Sequence, residues 1–168
     1  MIRYPMVVPG SHPASATLFD ADVYVETRLT GPTVGFAAIR DGLWVDMPVD
    51  RVGLLDDKAL NPQYQYVGVL TEHSLTLTDI LTRKGPLDHE AKFVEADRLG
   101  FECVQLLYAG ALSEPQQIHD FLQQSPDGLV VKPITPPQGP LFYAEITAEM
   151  FGPPSEGDPS CQTSSLES

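Results

Sequence analysis

Short stretches that alternate apolar and polar side chains, cut by turn-forming residues, recur along most of this sequence, and a chain so patterned has to build sheet. Val23-Tyr24-Val25-Glu26-Thr27-Arg28-Leu29 alternates with the period of a strand that has one face in a core. Residues 34–39 read as a second strand, Asp41-Gly42 as a hairpin turn, and Leu43-Trp44-Val45 as the returning strand. Residues 65–71, 75–81, 101–108 and 141–147 give further strands, and residues 3–8 a short one in an irregular lead-in. Gly128-Leu129-Val130-Val131 is an unbroken apolar run, the pattern of a strand buried on both faces.

Two segments change to the helical period. Residues 89–99 are followed by Gly100, placed to close the helix in a left-handed conformation. Ser113-Glu114-Pro115-Gln116 opens a second helix with Ser-x-x-Gln capping spacing and Pro in the first turn, and Ile118, Phe121 and Leu122 form its apolar face. Many strands with two helices predict an α+β fold on a largely antiparallel sheet. The 168-residue length fits one domain, expected over residues 1–151. Residues 152–168, rich in Pro, Gly, Ser and acids with one Leu, are expected to form a disordered acidic tail.

Charge narrows the function classes. Ten Lys and Arg against 23 Asp and Glu give a net charge of -13. Proteins that bind nucleic acid draw much of their affinity from cations that displace counterions from phosphate. No concentrated basic groove is visible here, so direct nucleic-acid binding is not expected. The charge provides solubility, and it also suits a protein partner with a basic surface. No apolar run approaches the ~20 residues that span a bilayer, and the opening MIRYPMVVPG lacks the apolar core of a signal peptide, so a cytoplasmic location is expected. Two cysteines make no disulfide framework, the four histidines are scattered, and His89-Glu90-Ala91-Lys92-Phe93 lacks the second His of a zinc-protease motif. No phosphate-binding Gly-rich loop or nucleophile elbow is present.

In their order, these elements resemble the nucleotidyltransferase (adenylation) domain of RNA ligases, in reduced form, over about residues 18–133 and more faintly to 151. Glu26-Thr27-Arg28-Leu29-Thr30-Gly31 matches that family's Glu-x-Lys-x-Asp-Gly element, followed by hairpin strands. Leu75-Thr76-Leu77-Thr78-Asp79-Ile80 matches its Phe-x-Phe-Asp-Ile-like strand, Arg98-Leu99-Gly100 and Leu107-Tyr108-Ala109-Gly110 a helix end and a turn. Asp127-Gly128-Leu129-Val130-Val131-Lys132 matches its Glu-Gly-Val-Val-x-Lys strand. The resemblance implies a nucleotide site built from Glu26, Arg28, Gly31, Asp127 and Lys132.

The departures from that pattern bear on chemistry. The family attacks ATP with a Lys amine, whereas Arg28 carries a guanidinium that stays protonated and serves only as a cation. Thr30 stands for the Asp, and Thr76 and Thr78 stand where aromatics flank the adenine. The middle Gly-Glu pair is reduced to Gly68-Val69, with Glu72 or Glu26 as substitutes. Glu145 and Thr147 occupy positions of the final motif that otherwise face the triphosphate with Lys.

The reading is a catalytically inactive ligase-like protein that uses no cofactor and acts as an acidic binding or regulatory module on a protein partner, a nucleic-acid-processing protein being one candidate. The alternative is a nucleotide-binding protein or an enzyme of altered nucleotidyltransferase mechanism that takes ATP and Mg, with Arg28 and Lys132 on phosphate and Asp127 on the metal. A third possibility is an assembly protein with a coincidental pattern.

Other readings of the same residues stay open. Glu26 and Arg28 would equally form a surface ion pair, and Lys132 a solvated charge at a strand end. Asp79 would cap a turn. Tyr64 and Tyr66, on one side of a strand, would be half-buried sheet aromatics or a contact patch, with Trp44 beside them.

Overall fold

The structure is a computed structural model that describes residues 5–10, 21–134 and 142–151. The expected tail lies outside the described residues. The architecture is α+β, as the strand-rich pattern predicts, with two sheets that are mainly antiparallel. The described chain forms two compact units, one essentially of residues 29–106 and the other of residues 6–28 and 107–151.

The second unit is built on a five-stranded sheet. Its strands are β1 (Met6–Pro9), β2 (Asp22–Thr27), β9 (Leu106–Ala111), β10 (Leu129–Pro133) and β11 (Phe142–Ile146), in the order β1-β11-β10-β2-β9. β10 is central and pairs antiparallel with both β2 and β11, while β1 pairs parallel with β11. Because successive side chains of a strand point to opposite faces, Val23 and Val25, Leu129 and Val131, and Ala144 and Ile146 all enter one core. Helix α2 (Pro115–Gln124) packs Ile118 and Leu122 into that core, with Phe121 at its margin. The opposite face of the same three strands carries Glu26, Lys132, Tyr143 and Glu145.

The capping arrangement of α2 differs from the expected one by one residue. Glu114, not Ser113, is the N-cap, and Pro115 opens the helix. The Gln117 side-chain oxygen accepts from the backbone N–H of both Ser113 (2.8 Å) and Glu114 (3.1 Å). A Gln at the third helical position reaches both orphan donors, which Gln116 does not.

The first unit holds the sheet β4-β3-β5-β6-β7, comprising β3 (Thr33–Ile39), β4 (Gly42–Asp46), β5 (Gln65–Leu70), β6 (Leu75–Thr82) and β7 (Gly85–Pro86). The β3–β4 hairpin turns through Arg40-Asp41, with Ile39 opposite Gly42. A 3-10 stretch (Val49–Leu55) follows β4. Helix α1 (His89–Leu99) has the predicted bounds: Asp88 caps it by accepting from the Ala91 N–H at 2.8 Å, and Gly100 closes it at φ 79°. A short helix, α3 (Ala148–Phe151), ends the described residues.

The single strand expected over residues 101–108 is two. β8 (Glu102–Cys103) pairs parallel with β6 in the first unit, whereas β9 joins β2 in the second. The chain changes sheets at Val104-Gln105, where the Val104 N–H still donates to the Leu77 carbonyl (2.9 Å). Apolar alternation continues through such a crossing because each half serves its own core.

Candidate functional site

Four of the five residues singled out from the sequence lie in the second unit. Glu26 projects from near the end of β2 and Lys132 from the central strand β10, two residues apart in register and so on one face, since Glu26 pairs with Val130 and Lys132 with Tyr24. The two charges meet at 2.6 Å, from Lys132 Nζ to Glu26 Oε1, with side chains only 7% and 1% exposed. The ammonium also lies 4.9 Å from the centre of the Tyr143 ring, in cation–π range. Lys132 is therefore not a solvated charge at a strand end, and Glu26 is not part of a surface pair. Both charges of this pair are withdrawn from water, and the withdrawn ammonium needs the carboxylate beside it.

Arg28 follows β2 and extends its ladder, donating its backbone N–H to the Gly128 carbonyl at 3.0 Å. Its guanidinium is held by two oxygens. Nε lies 3.0 Å from Glu145 Oε2, and Nη1 donates to the Asp127 backbone carbonyl at 3.0 Å. Glu145 reaches Arg28 from β11, on the far side of β10. Two cations and two carboxylates thus occupy one face of a three-strand ladder, each cation facing its own carboxylate. The side chains of Arg28 and Glu145 remain about a third exposed, so water screens this pair more than the inner one.

Gly128 makes the arrangement possible. Its φ of +116° belongs to glycine, and a Cβ there would lie 2.7 Å from the Ile146 carbonyl oxygen and 3.0 Å from Arg28 Cδ. Asp127 contributes its backbone carbonyl to Arg28, and the residue itself is exposed. Gly31 belongs to the first unit, where a Cβ would lie 2.3 Å from the Leu70 carbonyl oxygen. Its role there is close backbone approach.

The other residues considered in the sequence fall elsewhere. Glu72 is exposed in the turn between β5 and β6, beside His73. Thr76 and Asp79 are buried within β6. Asp79 caps no turn; it sits mid-strand opposite Val67, at the register shift between Val67 and Gly68. Tyr66 is no contact patch. It is wholly buried, stacked on Phe36 at 5.1 Å between ring centres, with the Tyr64 ring edge-on at 6.2 Å. Trp44 is half-buried and lies against Gly35.

A polar network in the first unit escapes sequence reading. The Tyr66 hydroxyl donates to Glu95 Oε2 at 2.6 Å and accepts from the Asn61 N–H at 2.9 Å. Arg98 grips the same carboxylate with Nε and Nη2, each at 2.7 Å, and Nη2 also donates to the Ala59 carbonyl. Burial first, and the Glu95 carboxylate second, push the Tyr66 phenol above its ordinary 10.0. The Arg98 hydrogen bonds hold the Glu95 carboxyl below its ordinary 4.5, against the opposing effect of burial. Lys92, from the same helix, turns inward and donates to the Thr78 carbonyl at 2.9 Å. The Glu95–Arg98 spacing of i,i+3 is the one sequence signal that would have found part of this network.

Among the described residues, no three His, Cys, Asp or Glu side chains gather as a metal-ligand set, and no helix is long and apolar enough to cross a membrane. No protein-family model and no curated protein matches the sequence. Solved structures do match. An archaeal ATP-dependent RNA ligase superposes with a TM-score of 0.63 at 15% identity, covering 88% of this chain and 48% of its own. A protein assigned as an ATP-dependent DNA ligase, from Aquifex aeolicus, superposes with a TM-score of 0.65 at 16% identity, covering 88% of this chain and 50% of its own. The chain spans about half the length of these ligases, and its fold resembles the nucleotidyltransferase (adenylation) domain of ATP-dependent RNA and DNA ligases.

Proposed function

We propose that this chain is a catalytically inert, ligase-like binding module that engages a protein partner through its acidic surface. The observation that carries the reading is the engagement of Arg28. By sequence resemblance, Arg28 stands where ligases of this class place the lysine that attacks ATP. A guanidinium has no lone pair to offer an α-phosphorus at any ordinary pH, and this one is already matched by Glu145 and the Asp127 carbonyl.

The residues present do not fit ATP with its divalent cation. Phosphate oxygens approaching Arg28 or Lys132 would have to displace Glu145 or Glu26. At ~4 Å and an effective dielectric of ~20, a carboxylate against a phosphate opposes binding by a few kcal/mol. Of the five residues singled out, only Asp127 offers an exposed carboxylate to a metal, and a single carboxylate is a weak cation site. What the sequence retains is the apolar alternation that builds both sheets, together with a net charge of -13. Retained folding pattern, altered charge pattern and high negative charge suit a protein that binds rather than transforms.

The test is incubation of the full chain with ATP and Mg²⁺, followed by intact mass measurement and a thermal melt. The expected result is an unchanged mass and an unchanged melting temperature. An AMP adduct, or a saturable rise in melting temperature with ATP, overturns the proposal.

A further inference from the structure

Helix α1 buries Ala96 and Leu99 as an amphipathic helix should, but four of its residues have their polarity reversed. Lys92 and Glu95 are buried, at 3% and 8% exposure, while Phe93 and Val94 stand out at 56% and 62%. Lys92 turns inward to the Thr78 carbonyl, and Glu95 turns inward to Tyr66 and Arg98. Phe93 and Val94 therefore contribute little to the core; buried, each would contribute about 1.5–3 kcal/mol. Lys or Gln would serve a solvent position equally well in a helix.

The neighbours of the pair are acidic. Glu90 precedes Phe93 by three positions and Val94 by four, and Asp97 follows them by four and three. These are the spacings at which helical side chains share a face, so the four residues form one patch with an apolar centre and a carboxylate at each end. The Lys and Arg of the helix are turned to other partners, Lys92 to the Thr78 carbonyl and Arg98 to Glu95 and the Ala59 carbonyl. A second copy of this chain makes a poor occupant, because two such faces would bring like charges together in molecules of net charge -13 each.

We propose that the face formed by Glu90, Phe93, Val94 and Asp97 receives a cationic, amphipathic peptide segment of the protein partner, with an apolar side chain between Lys or Arg residues. This rests on the reading of the chain as an acidic binding module and names the surface it uses. The apolar centre supplies affinity by desolvation, and the carboxylates supply orientation and encounter rate.

The test is amide-shift mapping of the full chain with three synthetic helical peptides: one with Leu at every third or fourth position and Lys at the others, one with Ser for each Leu, and one with Glu for each Lys. The expected result is saturable binding of the Leu-Lys peptide alone, with the shifts concentrated over residues 89–98. Phe93→Ser or Val94→Ser should weaken it by about tenfold, the loss typical of an interface anchor. Glu90→Gln with Asp97→Asn should weaken it at ~0.1 M salt and much less at ~1 M, where screening already removes the attraction. All four positions are exposed, and unchanged melting temperatures verify that the variants fold.

Salt-sensitive binding of the Ser-Lys peptide equal to that of the Leu-Lys peptide, or shifts outside α1, overturns the docking face and leaves the acidic module standing. Binding of none of the three peptides overturns both. Shifts at Phe93 and Val94 that follow protein concentration without peptide make a second copy the occupant and overturn the proposal.

Discussion

Arg28 Nε and Glu145 Oε2 meet at 3.0 Å across the central strand β10, so the cation that follows β2 is answered by a carboxylate from β11. By resemblance to ligases, both positions would hold lysine. On the proposed reading, arginine at one and glutamate at the other exchange a pair of like charges for a pair of opposite ones.

That exchange predicts that Arg28→Lys alone does not create an adenylating enzyme. The lysine would face Glu145, and a nearby carboxylate favours the charged ammonium over the nucleophilic amine. Intact mass after incubation with ATP and Mg²⁺ should be unchanged for Arg28→Lys as for the parent chain. An AMP adduct on the variant would show that Glu145 does not restrain the position. Glu145→Ala should lower stability by no more than about 1 kcal/mol, because the pair is partly solvated. Glu145→Lys should lower it further by setting two cations together, and urea denaturation reads the difference.

The inner pair behaves differently. Glu26 and Lys132 are nearly inaccessible, so removing one charge leaves the other buried without the counter-charge 2.6 Å away. Lys132→Met and Glu26→Leu should each lower stability by about 3–5 kcal/mol, whereas the double replacement should recover most of that loss. A double-mutant cycle in denaturant measures the coupling. Equal losses for single and double variants would mean that the pair is not what the buried positions require.

Much of this architecture is legible in the residues. The α1 bounds follow from the helical period and from Gly100 after it, and the structure adds Asp88 as the cap at the other end. The strand pattern of β2, β3, β5, β6 and β10 follows from alternation or from apolar runs. Periodicity does not say which sheet a strand joins, and so the crossing at Val104-Gln105 is hidden within continuous alternation. It is equally silent about partners far apart in the chain: Glu145 reads as a misplaced charge until β11 is set beside β10. The inward turn of Lys92 and Glu95 contradicts the pattern outright, because an amphipathic reading places Phe93 and Val94 inside. Hydrogen bonds to Thr78 and Tyr66 reverse that preference.

Two titrations should bracket the stability of the first unit. The folded pKa of Glu95 is depressed, so its contribution is complete above about 4.5 and is lost as the pH falls below that value. The folded pKa of Tyr66 is raised, so its contribution is complete below 10.0 and is lost as the pH rises beyond it. Tyr66 should ionise above 10.0 in an ultraviolet titration, and Tyr66→Phe should remove that late phase. Glu95→Gln should flatten the acid limb of a stability profile and lower the plateau near neutrality, where the Arg98 pair operates. Loss of the late tyrosine phase in Glu95→Gln with no change in Tyr66→Phe would show that a different phenol is the protected one.

Gly128 gives the sharpest backbone prediction. Its φ of +116° is strained for any residue with a side chain, and an added Cβ meets the Ile146 carbonyl oxygen at 2.7 Å, an atom of the backbone that cannot rotate away. Gly128→Ala should therefore lower stability by about 1–3 kcal/mol through strain alone. The same methyl would crowd Arg28 Cδ at 3.0 Å and pull the guanidinium from Glu145 and the Asp127 carbonyl. The two effects separate in a double-mutant cycle with Arg28→Ala. If Gly128→Ala loses as much stability in the Arg28→Ala background as in the parent, the glycine serves the strand alone; a smaller loss shows that it also seats the arginine.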